Sequence, residues 1–180
     1  LSEMDGLRAI KGLKLHPDYH CYDLNGDSAK AAFDFAEERG LPVIIPLRIQ
    51  DERLHPKFAL VPPTPVKALI EVAKLYPKVN VIACNARSDE LGDVLGDGSP
   101  NLHAVVSWVQ EEGFVASAVR DHGCGRLMWG SNMPLQYPEP TLEQIGKADV
   151  GPREKEGILA GNAEEVFNII FREPDAGPLR

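Results

Sequence analysis

Val79-Asn-Val-Ile-Ala-Cys84 decides the fold. Apolar residues run through it almost unbroken, and Val and Ile favour a strand. It lacks the alternation of a half-exposed strand. It therefore reads as a strand covered on both faces, as strands of parallel sheets are. Just before it, Leu69, Val72, Ala73 and Tyr76 recur at i, i+3, i+4 and i+7. That spacing predicts a helix over Pro65–Tyr76 with one inward stripe, Thr64 as N-cap and Pro65 in the first turn. A helix leading into a buried strand is a repeating unit of α/β proteins.

The same pairing recurs on both sides. Upstream, Gly12-Leu-Lys-Leu-His-Pro17 reads as a strand stopped by proline. Ala29–Arg39 is the next helix, with Gly40 closing it. Leu41-Pro-Val-Ile-Ile-Pro-Leu47 is a strand that Pro46 must end, because proline has no N–H for the ladder. The long polar loop Arg48–Thr64 follows; loops of this length in a compact domain are functional or mobile. Downstream, a short helix lies within Ser88–Pro100, then a strand over Leu102–Trp108 and a helix over Gly113–His122 closed by Gly123. The strand Arg126–Gly130 and closing helices over Thr141–Ala148 and Arg153–Phe171 complete the series. The expectation is one α/β domain over 1–172 with about five parallel strands, and a frayed tail over 173–180. An open doubly wound sheet and part of a barrel both fit. No Gly-x-Gly-x-x-Gly or Gly-x-x-x-x-Gly-Lys-Ser/Thr turn follows any strand, which weighs against nucleotide-binding folds.

Composition narrows the function classes. The chain has 180 residues and a formal net charge of −8, with no Lys/Arg block. That excludes the basic footprint of a nucleic-acid or anionic-membrane binder. No apolar run reaches the length of a membrane span. Cys21, Cys84 and Cys124 are odd in number and far apart, with no Cys-x-x-Cys pair. This favours a reducing, cytoplasmic setting over a disulfide framework or zinc knuckle.

Several phrases then occur in order: Gly12-Leu-Lys-Leu-His-Pro17, Gly40-Leu-Pro-Val43, Leu75-Tyr-Pro77, Arg126-Leu-Met-Trp-Gly-Ser-Asn-Met-Pro134, and Ile158-Leu-Ala-Gly-Asn-Ala163 before Val166-Phe167. Together they resemble the amidohydrolase-related (amidohydrolase 2 type) metal-dependent hydrolases, over about Gly12 to Phe171. The resemblance implies a (βα)₈ TIM barrel with its site at the C-terminal ends of the strands. It implies decarboxylase or lactonase chemistry on small carboxylic acids. The five strands correspond to the family's fourth through eighth.

Where that family places metal ligands, this chain departs from it. The His-x-His pair of the family's first strand has no counterpart here. Pro46 stands where the fifth strand carries histidine, Asn85 where the sixth does, and Asn132 where the eighth carries the aspartate. Proline offers a metal nothing, a neutral amide is a poor zinc ligand, and Asn132 cannot take a proton as an aspartate base does. The expectation is no metal cofactor, and a non-catalytic or assembly-dependent subunit; the alternative is a metal-independent hydrolase or decarboxylase. Five βα units fall short of the roughly 250 residues of a closed barrel and leave two open edges. A second copy or another subunit is expected to complete it; the alternatives are an open sheet or a piece of a longer protein.

Candidate site residues follow from the strand ends. Lys14 and His16 share a face of the first strand. They either meet a substrate carboxylate, with His16 the tentative acid–base group, or serve as an ion-pair partner and a strand cap. Arg48 and Arg87 follow strand ends, where guanidinium suits bidentate carboxylate recognition; solvated loop charge is the other reading. Asn85 and Asn132 either bond a ligand or are structural amides. Trp108 is placed to line a pocket mouth, whereas Cys84 reads as an inert core thiol and His103 as a core contact.

Overall fold

In a computed structural model, residues 10–58 and 60–169 are described. The strands are β1 (Leu13–Lys14), β2 (Val43–Pro46), β3 (Val81–Cys84), β4 (Leu102–Val106) and β5 (Leu127–Trp129). They form a single parallel sheet in chain order, β1-β2-β3-β4-β5. The helices between them are α1 (Pro17–His20), α2 (Asp27–Arg39), α3 (Val66–Leu75), α4 (Ser88–Gly96) and α5 (Phe114–His122). After β5 come α6 (Glu139–Lys147), α7 (Pro152–Glu156), a π-helical turn Gly157–Gly161 and α8 (Asn162–Phe167). Sequential neighbours throughout the sheet are the signature of barrel winding. A doubly wound sheet would reverse its order partway.

Each strand is apolar on both faces because each face has a separate task. Val43, Ile45, Val81, Ala83, Leu102, Ala104, Val106 and Leu127 point to the helices, where they meet Phe33, Leu69, Val72, Leu91 and Val115 in one buried core. Fully burying one such side chain is worth about 1.5–3 kcal/mol. The opposite, inner face carries Lys14, Ile44, Ile82, Cys84, Val105 and Met128, the residues that would fill a closed barrel. Gly130, just past β5, packs closely on that face: a Cβ there would come 2.6 Å from Val105 Cγ1.

The inner face is not left fully open. α8 leads away from β5 across it, and Ala163 and Phe167 stand among Lys14, Ile44 and Ile82. Phe167 reaches the other edge of the sheet, where a Cβ on Gly12 would lie 3.1 Å from its Cε1. Lys11 Nζ donates to the carbonyl of Asn168 at 3.4 Å. Asn162 anchors the start of α8 by donating to the carbonyls of Cys124 and Leu127 at 2.8 and 2.6 Å.

Some boundaries differ from those read in the sequence. The first strand shrinks to Leu13–Lys14, because Pro17 opens α1 rather than merely ending a strand. α2 begins at Asp27, two residues early. Thr64 is not the N-cap of α3: Pro65 takes that position without a side-chain cap, and the Thr64 hydroxyl is buried with no partner among the described residues. The last helix ends at Phe167, where Asn168 turns left-handed at φ 47°. The tail over 173–180 and both outer limits of the domain, 1 and 172, lie outside the described residues. Among the described residues no helix is long and apolar enough to cross a membrane.

Candidate functional site

The C-terminal ends of β2 to β5 bring Pro46, Asn85, Ser107 and Asn132 toward one point. Asn85 and Asn132 both adopt left-handed backbone, at φ 55° and 56°. Asparagine tolerates this conformation better than most residues because its short amide bonds locally. The Asn85 side chain donates to the carbonyl of Arg48 at 2.9 Å and to Asn132 Oδ1 at 3.1 Å. Its carbonyl oxygen accepts from the Ser107 hydroxyl at 3.3 Å, and its backbone N–H donates to that same hydroxyl oxygen at 3.3 Å. The amide of Asn85 is thus committed to protein partners on both sides.

Beneath these amides lies a cleft of about 230 Å³. Lys14, Ser107, Asn85 and Asn132 are its polar groups, set against Ile44, Ile82, Met128 and Phe167. Lys14 is exposed and lines it, an ammonium suited to an anion. Cys84 also lines it. Burial pushes that thiol up to about 12, outweighing the opposite pull of Lys14, so it is inert as a nucleophile at neutral pH.

Arg48 serves a different purpose. Its side chain is only 3% exposed. It donates to both carboxylate oxygens of Glu90, to Glu52 Oε1 at 3.2 Å and to the Asn85 carbonyl at 3.1 Å. Its guanidinium also lies 5.8 Å from the centre of the Trp108 ring. Burial alone would lift the Glu90 carboxyl, but the bonds from Arg48 and the Arg87 backbone hold it below the usual range. Arg87 donates to Glu52 Oε2 at 2.6 Å, so Glu52 bridges both arginines. With the Gln136 amide turned so that its oxygen faces the indole, it accepts from Trp108 Nε1 at 2.6 Å and donates to the Ser107 carbonyl at 2.9 Å.

The structure therefore sorts the candidate residues into two clefts. Lys14, Asn85 and Asn132 share the inner one. Arg48, Arg87 and Trp108 share a second of about 460 Å³, together with Asp51, Asp89 and Glu111, whose charges offset the arginines. His16 lines neither. It precedes α1, its Nδ1 is buried without a partner among the described residues, and burial followed by Lys14 lowers its pKa. Sequence reading passed over Ser107, Glu90 and Gln136. Only Glu90 had a local signal: three residues after Arg87 at a helix start, it accepts the Arg87 N–H at 2.8 Å.

The strand ends carry an ammonium, two amides, a hydroxyl, a thiol and a proline, and among the described residues no three His, Cys, Asp or Glu groups converge.

Solved structures share this fold. The 5-carboxyvanillate decarboxylase of Sphingomonas paucimobilis superposes with a TM-score of 0.68 at 15% identity, covering 89% of this chain and 59% of its own. The 5-carboxyvanillate decarboxylase of Novosphingobium aromaticivorans, complexed with manganese and 4-hydroxy-3-methoxy-5-nitrobenzoic acid, gives 0.67 at 14%, covering 93% and 59%. A TIM-barrel protein from Bordetella bronchiseptica gives 0.66 at 17%, covering 88% and 57%. The chain thus has the fold of a TIM-barrel segment and spans about three-fifths of the length of these proteins. No protein-family model matches it, and neither does any curated protein sequence.

Proposed function

We propose that this chain is an amidohydrolase-like barrel segment that binds a small carboxylate without a metal and acts as a non-catalytic or assembly-dependent subunit. One observation carries this reading: Asn85 and Asn132, at the positions where the resemblance implies metal ligands, hydrogen-bond each other. A neutral amide pair offers an ion no charged ligand, and neither amide can carry a proton in acid–base work. The Lys14 ammonium supplies the charge for a carboxylate, and the apolar inner face supplies its walls. A second copy or another subunit covers the β1 and β5 edges, in a reducing cytoplasm that suits three free thiols.

Elemental mass spectrometry, with native mass recorded on the same sample, tests this. The expected result is far less than one metal ion per chain, in a particle larger than a monomer. Near-stoichiometric zinc or manganese, or a strict monomer that turns over a carboxylic acid, sinks it.

A second reading, a metal-independent decarboxylase or lactone hydrolase, draws support from the decarboxylases among the structures of like fold. Lys14 would then bind the substrate carboxylate and His16, neutral near pH 7, would handle protons. Its weakness is geometric, since His16 lines neither cleft. Loss of any measured activity in His16→Ala would favour it, and unchanged activity would remove it.

A further inference from the structure

A third cavity lies outside the inner face, between the segment after β1 and the approach to α3. It measures about 370 Å³. Its walls are mostly apolar: Pro17, Leu24, Pro62, Pro63, Pro65 and Ala68. Two polar residues in the wall break that pattern. Asp18 is 8% exposed, and neither oxygen of its carboxylate has a hydrogen-bond partner among the described residues. Thr64 is 5% exposed, and its hydroxyl is likewise without a partner. Tyr22, Cys21 and the exposed Asp23, a second carboxylate, complete the rim.

Buried carboxylates are normally paired, and one left bare is expensive to keep. One account of such a group is that something outside the fold meets it. A cation with N–H donors suits both groups, because a carboxylate is negative and only accepts, and a hydroxyl can accept as well. A divalent metal does not suit the site. Asp18 is its only sealed carboxylate, and among the described residues no three acidic, histidine or cysteine groups gather. The proline walls fit an alkyl body instead. We propose that Asp18 and Thr64 form the polar end of a binding site for an alkylammonium group, whose carbon chain lies along Pro62–Pro65. Entry needs the proline segment to give way, since the Asp18 oxygens are sealed from water.

Thermal unfolding of the whole protein tests the site, with n-butylammonium chloride as probe and sodium chloride of equal ionic strength as control. Wild type should gain about 3–5 °C in Tm for each tenfold rise in the amine beyond its Kd. Asp18→Asn should show no amine-dependent rise, while its Tm without amine equals or exceeds that of wild type, because a buried carboxylate with no hydrogen-bond partner among the described residues has gone. Thr64→Val should weaken the response. N-acetyl-lysinamide separates the two sources of such a group: a rise with butylammonium alone assigns a free small amine, and a rise with both assigns a lysine side chain as well. The proposal is overturned if wild type does not respond, as when water satisfies both groups. Equal rises with sodium chloride or in Asp18→Asn overturn it too.

Discussion

The side chain of Asn85 donates to Asn132 Oδ1 at 3.1 Å, and both residues hold left-handed backbone at nearly the same φ. Two strand ends, β3 and β5, are thereby tied across the mouth of the inner face, passing over β4. Backbone and side chain can be separated experimentally. Asn132→Ala puts a Cβ residue without local bonding into the left-handed region and should cost about 1–2 kcal/mol. Asn132→Gly relieves the backbone and should cost roughly half as much, leaving only the lost amide contact. Urea unfolding of both variants measures this; equal losses would mean that the side-chain bond alone matters.

Arg48 belongs to the framework in this geometry. Removing its guanidinium strands Glu90, whose side chain is 19% exposed, and unties the loop through Glu52. Arg48→Ala should lose about 3 kcal/mol, and adding Glu90→Ala should restore part of that by removing the orphaned charge. The Glu90 carboxyl titrates low in the fold, so its contribution is present above its ordinary range and disappears as pH falls through the folded value. Urea midpoints below about pH 4.5 should therefore fall more steeply in wild type than in the double variant.

A second titration lies in a separate window. His103, on β4, is 6% exposed and bonds Asn80 through Nε2 at 3.2 Å. Burial, helped by Arg126, pushes it down to about 4. The folded protein holds it neutral while the unfolded chain protonates it near pH 6.5, so stability is full above 6.5 and declines between 6.5 and about 4. The whole decline amounts to about 3 kcal/mol. In His103→Gln, the urea midpoint should be flatter across that interval, whatever its absolute value.

Phe167 offers a test of the arrangement over the inner face. Phe167→Ala should cost about 1–2 kcal/mol, as expected for a half-buried ring. Amide exchange in β1 should quicken, because Gly12 and Lys11 lose their contacts with α8. Unchanged protection of β1 would show that α8 does not hold that edge.

The sheet was legible in the sequence because buried parallel strands are short apolar runs whose reading needs no distant information. Val81–Cys84 and Leu102–Val106 fall within the runs that announce them. The first strand was overestimated because Pro17, read as a stop, opens a helix instead. The site was half legible. Strand-end positions located Asn85, Asn132 and Lys14 in one cleft, but no rule of spacing tells that an asparagine is left-handed or that two of them meet. Arg48 shows the same limit: it reads as a loop cation until Glu90, 42 residues on, is seen to take it up. The passage of α8 to β1 leaves no local trace at all, since Gly12 and Phe167 look ordinary where they stand.

Strand order that follows chain order has a bearing on how the molecule is made. Each strand joins one already formed, so the sheet can assemble piece by piece as the polypeptide emerges. The link from Lys11 to Asn168 spans 157 residues and forms only after the strands between them. Until α8 is made, the inner-face residues Ile44, Ile82 and Met128 therefore lack the cover that Ala163 and Phe167 give them, a greasy surface that exists only while the chain is growing.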